Sequence, residues 1–302
     1  MSISEELQAR GQQHLLRFWN ELNGVEQARF EEQLKRIDWS LLDEIEKPEH
    51  TALGDIQPID GMTIAEINAK RGELEKAGKE AVRAGKVAAV LLAGGMGTRL
   101  GSSSPKGCYN IGLTRPLYIF EQLIRNLQDS TKACGADIPL LIMTSEKNDA
   151  ETRAFFKEHD YFGYPASLVR FFPQQMAVCV GFDKKVLLEG KGTVALSPNG
   201  NGGWYASLVR AGLLEDEILK RVEWFNVFAV DNVLQRIADP AFVGAAILSG
   251  KKCAAKVVRK ARPDEKVGVL CLRNGLPDVI EYYEISEELA SLKDGEGNLL
   301  YS

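Results

Sequence analysis

One segment limits the fold more than any other. An unbroken apolar run, Val87-Ala88-Ala89-Val90-Leu91-Leu92, opens directly into Ala93-Gly94-Gly95-Met96-Gly97-Thr98-Arg99-Leu100-Gly101. Apolar residues without alternation suit a strand covered on both faces, the habit of parallel sheets. Ending that strand in glycines brings bare backbone to the carboxyl edge of the sheet, where open α/β folds bind ligands. Gly94, Gly95 and Gly97 let the chain turn tightly and aim amide N–H groups at an anion. Arg99, and Lys106 of Ser104-Pro105-Lys106-Gly107, add two cations just beyond. Without those cations the loop reads as a tight strand-to-helix turn; with them it describes a polyphosphate cradle. It is not the dinucleotide type, because Leu100 stands where GxGxxG requires glycine, and the Walker pattern GxxxxGK[ST] has no match.

The flanking pattern sets the fold class. Apolar runs at 138–143, 169–172 and 225–230 are expected as strands, and 117–127, 149–159, 204–214 and 241–248 as helices. A further strand is expected at 254–259, and a hairpin at 267–272 and 278–283 around Asn274-Gly275. Such alternation over roughly 150 residues predicts an α/β, doubly wound, mostly parallel Rossmann-like sheet. Residues 1–84 instead read as an N-terminal helical segment, with 85–302 as the α/β domain that carries the phosphate loop. Ser2 with Glu5 fits a capping box ahead of Leu7, Leu15, Phe18, Trp19 and Leu22, a run ended by Asn23-Gly24. A second helix carries Phe30, Leu34 and Ile37, and Asp38 can cap a third bearing Leu41, Leu42 and Ile45. Thr63 with Glu66 opens a long charged helix to about Ala84. This segment offers packing surface and no evident chemistry.

Composition narrows the function. The 37 basic and 42 acidic residues of this 302-residue chain give a net charge of −5, without the basic footprint of a nucleic-acid binder. No apolar run reaches the roughly 18–20 residues of a membrane helix, and the charge-interrupted N-terminus does not resemble a secretory signal. Cys108, Cys134, Cys179, Cys253 and Cys271 lie far apart without a CxxC pair, and His14, His50 and His159 form no ligand cluster. Reduced thiols in a cytoplasmic protein are expected.

GGxGTRLG followed shortly by PKG resembles the signature of uridylyl-transferring sugar pyrophosphorylases, and the wider chain resembles the eukaryotic-type UDP-N-acetylhexosamine pyrophosphorylases. The likeness continues through Ile142-Met143-Thr144-Ser145, Phe155-Phe156, Tyr161-Phe162-Gly163 and Phe171-Phe172-Pro173-Gln174. It extends through Gly200-Asn201-Gly202-Gly203, Val230-Asp231-Asn232, Ala255-Lys256-Val257-Val258 and Val279-Ile280-Glu281-Tyr282, covering roughly residues 87–285. The resemblance implies transfer of uridylyl from UTP to an N-acetylhexosamine 1-phosphate, with Mg²⁺ as cofactor and pyrophosphate leaving. It implies that Gly94, Gly95, Gly97, Thr98 and Arg99 hold the triphosphate and that Lys106 neutralises charge between the α-phosphate and the leaving group. By spacing alone, Asp231 at a strand end either binds Mg²⁺ or caps the segment after it; the resemblance implies the metal. Gln174 suits an imide-like uracil edge, and the likeness adds Gly200 and Asn201 as uridine contacts. Glu281 would accept from sugar hydroxyls, with Gly268 letting the sugar approach the backbone; read alone, Glu281 is equally a surface strand residue. Phe155, Phe156, Phe171, Phe172 and Trp204 read as core rather than ligand-stacking rings.

Two positions depart from the pattern: Gln175 stands where glycine is usual, and Asn199 replaces a common aspartate before Gly200. In such relatives an NAGN-type motif, a phosphate-contacting lysine and a C-terminal domain come after the point where this chain stops, so a truncated C-terminus and weakened sugar-phosphate binding are expected. Residues 299–301 are expected to begin a strand. The same chemistry on another hexose 1-phosphate, or a weak or inactive uridine-nucleotide binder, are the alternatives. For want of GxGxxG, a dinucleotide oxidoreductase ranks far behind.

Overall fold

The computed structural model describes residues 2–43 and 54–302 and sets the apolar run Val87–Leu92 inside a four-stranded, all-parallel sheet. In chain order the elements are α1 (Ile3–Ala9), α2 (Gly24–Lys35), α3 (Ser40–Asp43), β1 (Ile56–Pro58), α4 (Ile64–Ala69), α5 (Arg71–Arg83), β2 (Val87–Leu92), α6 (Ile119–Cys134), β3 (Leu140–Thr144) and α7 (Asp149–Glu158). There follow β4 (Val169–Pro173), β5 (Met176–Val178), β6 (Leu188–Gly190), β7 (Thr193–Val194), β8 (Leu196–Pro198), α8 (Trp204–Arg210), β9 (Trp224–Ala229), α9 (Pro240–Leu248), β10 (Val269–Arg273), β11 (Leu276–Ile280) and α10 (Glu287–Ala290).

The main sheet runs β4-β3-β2-β9. From β2 the chain steps outward through β3 to β4, then returns to add β9 on the other side of β2. Strand order therefore reverses between β2 and β9, which pair from Val87↔Trp224 to Leu92↔Ala229. That reversal opens a crevice at the carboxyl ends of the two strands.

Both faces of the sheet are covered, so the run needs no polar alternation. Ala89, Leu91, Leu140, Ile142 and Phe228 pack against Ala81 and Val82 of α5, Phe120, Leu123 and Leu127 of α6, Phe156 of α7 and Val243 of α9. On the opposite face Ala88, Val90, Leu141, Met143 and Phe172 meet Leu208 and Leu219. A fully buried Leu or Phe contributes about 1.5–3 kcal/mol by leaving water. Phe156 and Phe172 are fully buried, and Phe155, Phe171 and Trp204 pack on the same cores, as their spacing predicts.

Several expectations change. The first helix stops at Ala9, because Gly11 turns left-handed (φ +66°) and the next turns are a 3-10 helix, Gln13–Glu21. Asn23 does not merely end that run: its Oδ1 accepts from Val25 and Glu26 amides and starts α2. Asp38 does turn its carboxylate on Ser40, whereas Ile45 lies outside the described residues. The charged helix from Thr63 breaks at Lys70 (φ −102°, ψ 6°) into α4 and α5, and the helix from Trp204 ends at Arg210, ahead of left-handed Gly212. Residues 254–259 form no strand; Lys256 is drawn to Asp239 (3.0 Å), and among the described residues no backbone ladder meets this stretch.

The hairpin about Asn274-Gly275 forms, with arms at 269–273 and 276–280 rather than 267–272 and 278–283, both turn residues holding positive φ (52° and 79°). It joins β1 in a separate antiparallel sheet, β1-β10-β11. Residues 299–301 do not start a strand: Leu299 makes one bridge to Lys293, and buried Tyr301 donates its hydroxyl to Ile56 O (2.9 Å). At the other end, Leu7, Leu15, Phe30, Leu34 and Ile37 share a core with Val186 and Val194. No helix among the described residues is long and apolar enough to cross a membrane.

Candidate active site

The glycine loop leaves β2 at the crevice and is held there by its neighbours. Ala93 N–H donates to Met143 O (2.8 Å), Gly97 N–H to Ser104 O (2.9 Å) and Lys106 N–H to Gly95 O (3.2 Å). The last two bonds fold Ser104-Pro105-Lys106 back along the loop. Among the described residues the amides of Gly94, Gly95 and Met96 have no acceptor. Successive unpaired amides at a sheet edge are what an anion-binding concavity requires.

The glycines serve a purpose other than the expected one. None of Gly94, Gly95 and Gly97 has positive φ; only Gly101 further on does (φ +73°). Gly94 is small because a Cβ there would lie 2.2 Å from Gln174 Nε2. Gly95 faces open space, free for a ligand to approach the backbone. The pressed contact also carries information: Gln174, 6% exposed, sits with its carboxamide against the loop, its own N–H on Thr144 O (2.8 Å).

Asp231, just past β9, meets Lys106 across the crevice: the ammonium donates to Asp231 Oδ1. Among the described residues no backbone amide donates to the Asp231 carboxylate, whereas Asn232 Oδ1 accepts from Leu234 N–H (3.3 Å) and Asp239 caps α9 by accepting from Ala241 N–H (3.2 Å). The Asp231 carboxylate stays largely exposed. Among the described residues no three His, Cys, Asp or Glu converge. A cation here would take one carboxylate, with phosphate oxygens and water completing its shell, and that donor set fits Mg²⁺. Arg99 stands exposed beside the loop, without an ion-pair partner among the described residues. Cys108, two residues past Lys106, has its thiol pushed up to about 12 by burial and then by the Glu151 charge, so it stays protonated at neutral pH.

Gln174 has the Gly200 loop as its neighbour. Gly200 takes φ +81°, a conformation that favours glycine, and leads into the short turn Asn201–Gly203. Asn199 N–H donates to Gln175 O (3.0 Å), Gln175 N–H to Ser207 Oγ (3.0 Å), and Ser207 Oγ–H to Gly203 O (2.9 Å). Gln175 has no positive φ, so the usual glycine is not needed here. With its carboxamide turned so that oxygen faces the donors, it accepts from Arg210 at 2.8 Å. A cleft of about 520 Å³ opens beside Gln174, walled by Gln175, Asn199 and Arg210 and faced by Arg36 and Asp38.

Gly268 and Glu281 come together. A Cβ on Gly268 would lie 3.7 Å from the Glu281 carboxylate and 2.7 Å from Val279. Both flank the β10–β11 hairpin, and among the described residues no hydrogen bond or ion pair joins them to the glycine loop or Asp231. Sequence reasoning missed Asn148. It is fully buried and donates to Ala93 O (3.0 Å) and Gly95 O (3.3 Å) while accepting from Ser145 N–H (2.8 Å). Its only sequence signal, an asparagine just before a helix, reads as a cap.

Known proteins resemble this chain over most of its length. The profile of the family described as UTP--glucose-1-phosphate uridylyltransferase matches residues 27–301. The UDP-N-acetylhexosamine pyrophosphorylase-like protein 1 of Mus musculus is 38% identical over 321 residues, covering 99% of this chain and 63% of its own length. The UDP-N-acetylglucosamine pyrophosphorylase of Saccharomyces cerevisiae is 38% identical over 312 residues, covering 96% and 65%. The crystal structure of the Trypanosoma brucei uridine diphosphate N-acetylglucosamine pyrophosphorylase, in complex with an inhibitor, superposes with a TM-score of 0.78 at 28% identity, over 98% of this chain and 63% of that one. The chain thus spans somewhat under two thirds of the length of the relatives it matches. With profile, identity and sheet in agreement, the chain belongs to the UTP--glucose-1-phosphate uridylyltransferase family.

Proposed function

We propose that this chain carries the uridylyl-transfer site of a UDP-N-acetylhexosamine pyrophosphorylase, converting UTP and N-acetylglucosamine 1-phosphate to UDP-N-acetylglucosamine and pyrophosphate in the cytoplasm. The observation that carries the reading is the meeting of three amides without an acceptor among the described residues, Gly94 to Met96, with Lys106 and Asp231 where strand order reverses. The N-acetylhexosamine names of relatives at 38% identity favour that sugar over glucose.

In this reading the loop amides, with Thr98 and Arg99, grip the triphosphate, and Gln174, Gly200 and Asn201 read the uracil. An oxygen of the sugar phosphate attacks the α-phosphorus; a P–O bond forms there as the bond to pyrophosphate breaks, with no covalent enzyme intermediate. Lys106 donates to oxygens whose charge grows as pyrophosphate departs, and catalysis is mainly positioning and charge neutralisation. Asp231 would hold Mg²⁺, which supplies Lewis-acid neutralisation of the phosphates when bound. Gly268 and Glu281 would face the sugar.

Pyrophosphate release from UTP, assayed with Mg²⁺ over a panel of hexose 1-phosphates, tests this. N-acetylglucosamine 1-phosphate should be preferred, and Asp231→Ala should lower the rate at least a hundredfold. Release that is indifferent to Asp231→Ala would refute the assignment. A second reading is nucleotide binding with weak turnover, since no hydrogen bond or ion pair among the described residues ties Gly268 or Glu281 to the glycine loop. Calorimetry would then show UTP affinity without release.

A further inference from the structure

An asparagine before a helix ordinarily turns its carbonyl back on the first amides of that helix. Asn148, which precedes α7, does not: its side chain makes no cap bond there. Both of its N–H donors go instead to the glycine loop, on Ala93 O (3.0 Å) and Gly95 O (3.3 Å), and its oxygen is held by Ser145 N–H (2.8 Å). The side chain is fully buried, which fixes its orientation. In a trans, planar peptide the C=O and the following N–H point in opposite directions. Drawing the carbonyls of Ala93 and Gly95 toward Asn148 therefore turns the amides of Gly94 and Met96 away from it, and these are two of the loop amides without an acceptor among the described residues. No other small side chain supplies two donors and one acceptor in this plane; aspartate has no donor and serine has one.

We propose that Asn148 is a positioning residue for phosphate recognition, fixing the glycine-loop amides in the orientation that meets the nucleotide tail. The inference rests on the nucleotide reading above. It makes a distinction a general packing role would not: the phosphates depend on Asn148, whereas the nucleoside, read through Gln174 and the Gly200 loop, does not.

The test compares Mg²⁺-UTP, by calorimetry, with uridine, by ligand-observed NMR, on the full chain. In Asn148→Asp, which keeps the acceptor and removes both donors, UTP affinity should fall roughly ten- to a hundredfold while uridine affinity stays within about twofold. Asn148→Ser, which keeps one donor, should fall between wild type and Asn148→Asp. If Asn148→Asp does not fold, the serine variant decides alone: a selective loss for UTP supports the inference, and wild-type UTP affinity overturns it. Equal loss of UTP and uridine also overturns it, since the role would then be merely structural. A wild-type chain without UTP affinity would instead sink the nucleotide reading, and this inference with it.

Discussion

At the scale of single residues, the structure pairs groups that chain order keeps far apart. Arg170 at the start of β4 donates through Nε and Nη2 to the two oxygens of Asp216 (2.6 and 3.2 Å), and Asp216 Oδ1 also accepts from Ile218 N–H (3.1 Å). The Arg170 guanidinium, ahead of the Ile218 amide, holds the Asp216 carboxyl below its usual range against the opposing effect of burial. A carboxyl lowered by folding stabilises the protein above its unfolded pKa and loses that contribution as pH falls through the folded value. Asp216→Asn should therefore cost roughly 1–2 kcal/mol at pH 7, and the gap to wild type should close below about pH 4. Urea denaturation at pH 7 and pH 3 reads both; a gap of equal size at the two pH values would show that the charge is not responsible. No local pattern announces such a pair, or Asn148. The glycine loop, Lys106 and Asp231 were legible because their chemistry depends on the residues that strand ends deliver, and strand ends follow from apolar runs.

Elements meet here through surfaces whose glycines are poor helix formers. In α5 and α9, Gly78 and Gly244 bring the two backbones together: a Cβ on Gly78 would lie 1.9 Å from Pro240 O, and one on Gly244 would lie 1.8 Å from Leu74 O. Alanine gains about 1 kcal/mol over glycine in a helix interior. Against that, a methyl driven into a carbonyl cannot be relieved by turning a side chain, and overpacking costs typically 1–3 kcal/mol or more. The clash wins, so Gly244→Ala should lower stability by about 1–2 kcal/mol. Gly72→Ala, in the same α5 but facing open space, should raise it by about 0.5 kcal/mol. Chemical denaturation of the two variants checks the sign of each; stabilisation by both would mean that the helices can separate at little cost. Unbroken apolar runs located β2, β3, β4 and β9, since burial dictates them directly. They misplaced 254–259, whose Val257 and Val258 have strand propensity but, among the described residues, no neighbouring backbone to pair with, and strand formation needs that partner.

At the scale of the whole molecule, residues 1–84 read as one helical segment, yet their packing is divided. Residues 3–37 lie on 178–196, β1 joins the β10–β11 hairpin, and α5 covers the main sheet. The first contact has a consequence for the site, because 178–196 connects Gln174 to the Gly200 loop. Gln12, 5% exposed, donates to Lys184 O (3.0 Å) and accepts from Val186 N–H (3.0 Å), standing in for a paired strand. His14 Nε2 bonds Val186 O (2.7 Å), and Gln33 accepts from Val194 N–H (3.1 Å). Helical spacing cannot reveal such bonds, since their partners lie over 150 residues away. Gln12→Leu keeps the volume and leaves the buried Val186 N–H unpaired, at about 1–3 kcal/mol. Hydrogen exchange should then quicken selectively at Val186 and its neighbours, while the amides of β2 keep their protection, because the two cores share no buried residue. If exchange instead rose evenly through β2 and 178–196, the N-terminal helices and the sheet would unfold as one unit, and the support of the Gln174–Gly200 connection would not be separable from the stability of the sheet itself.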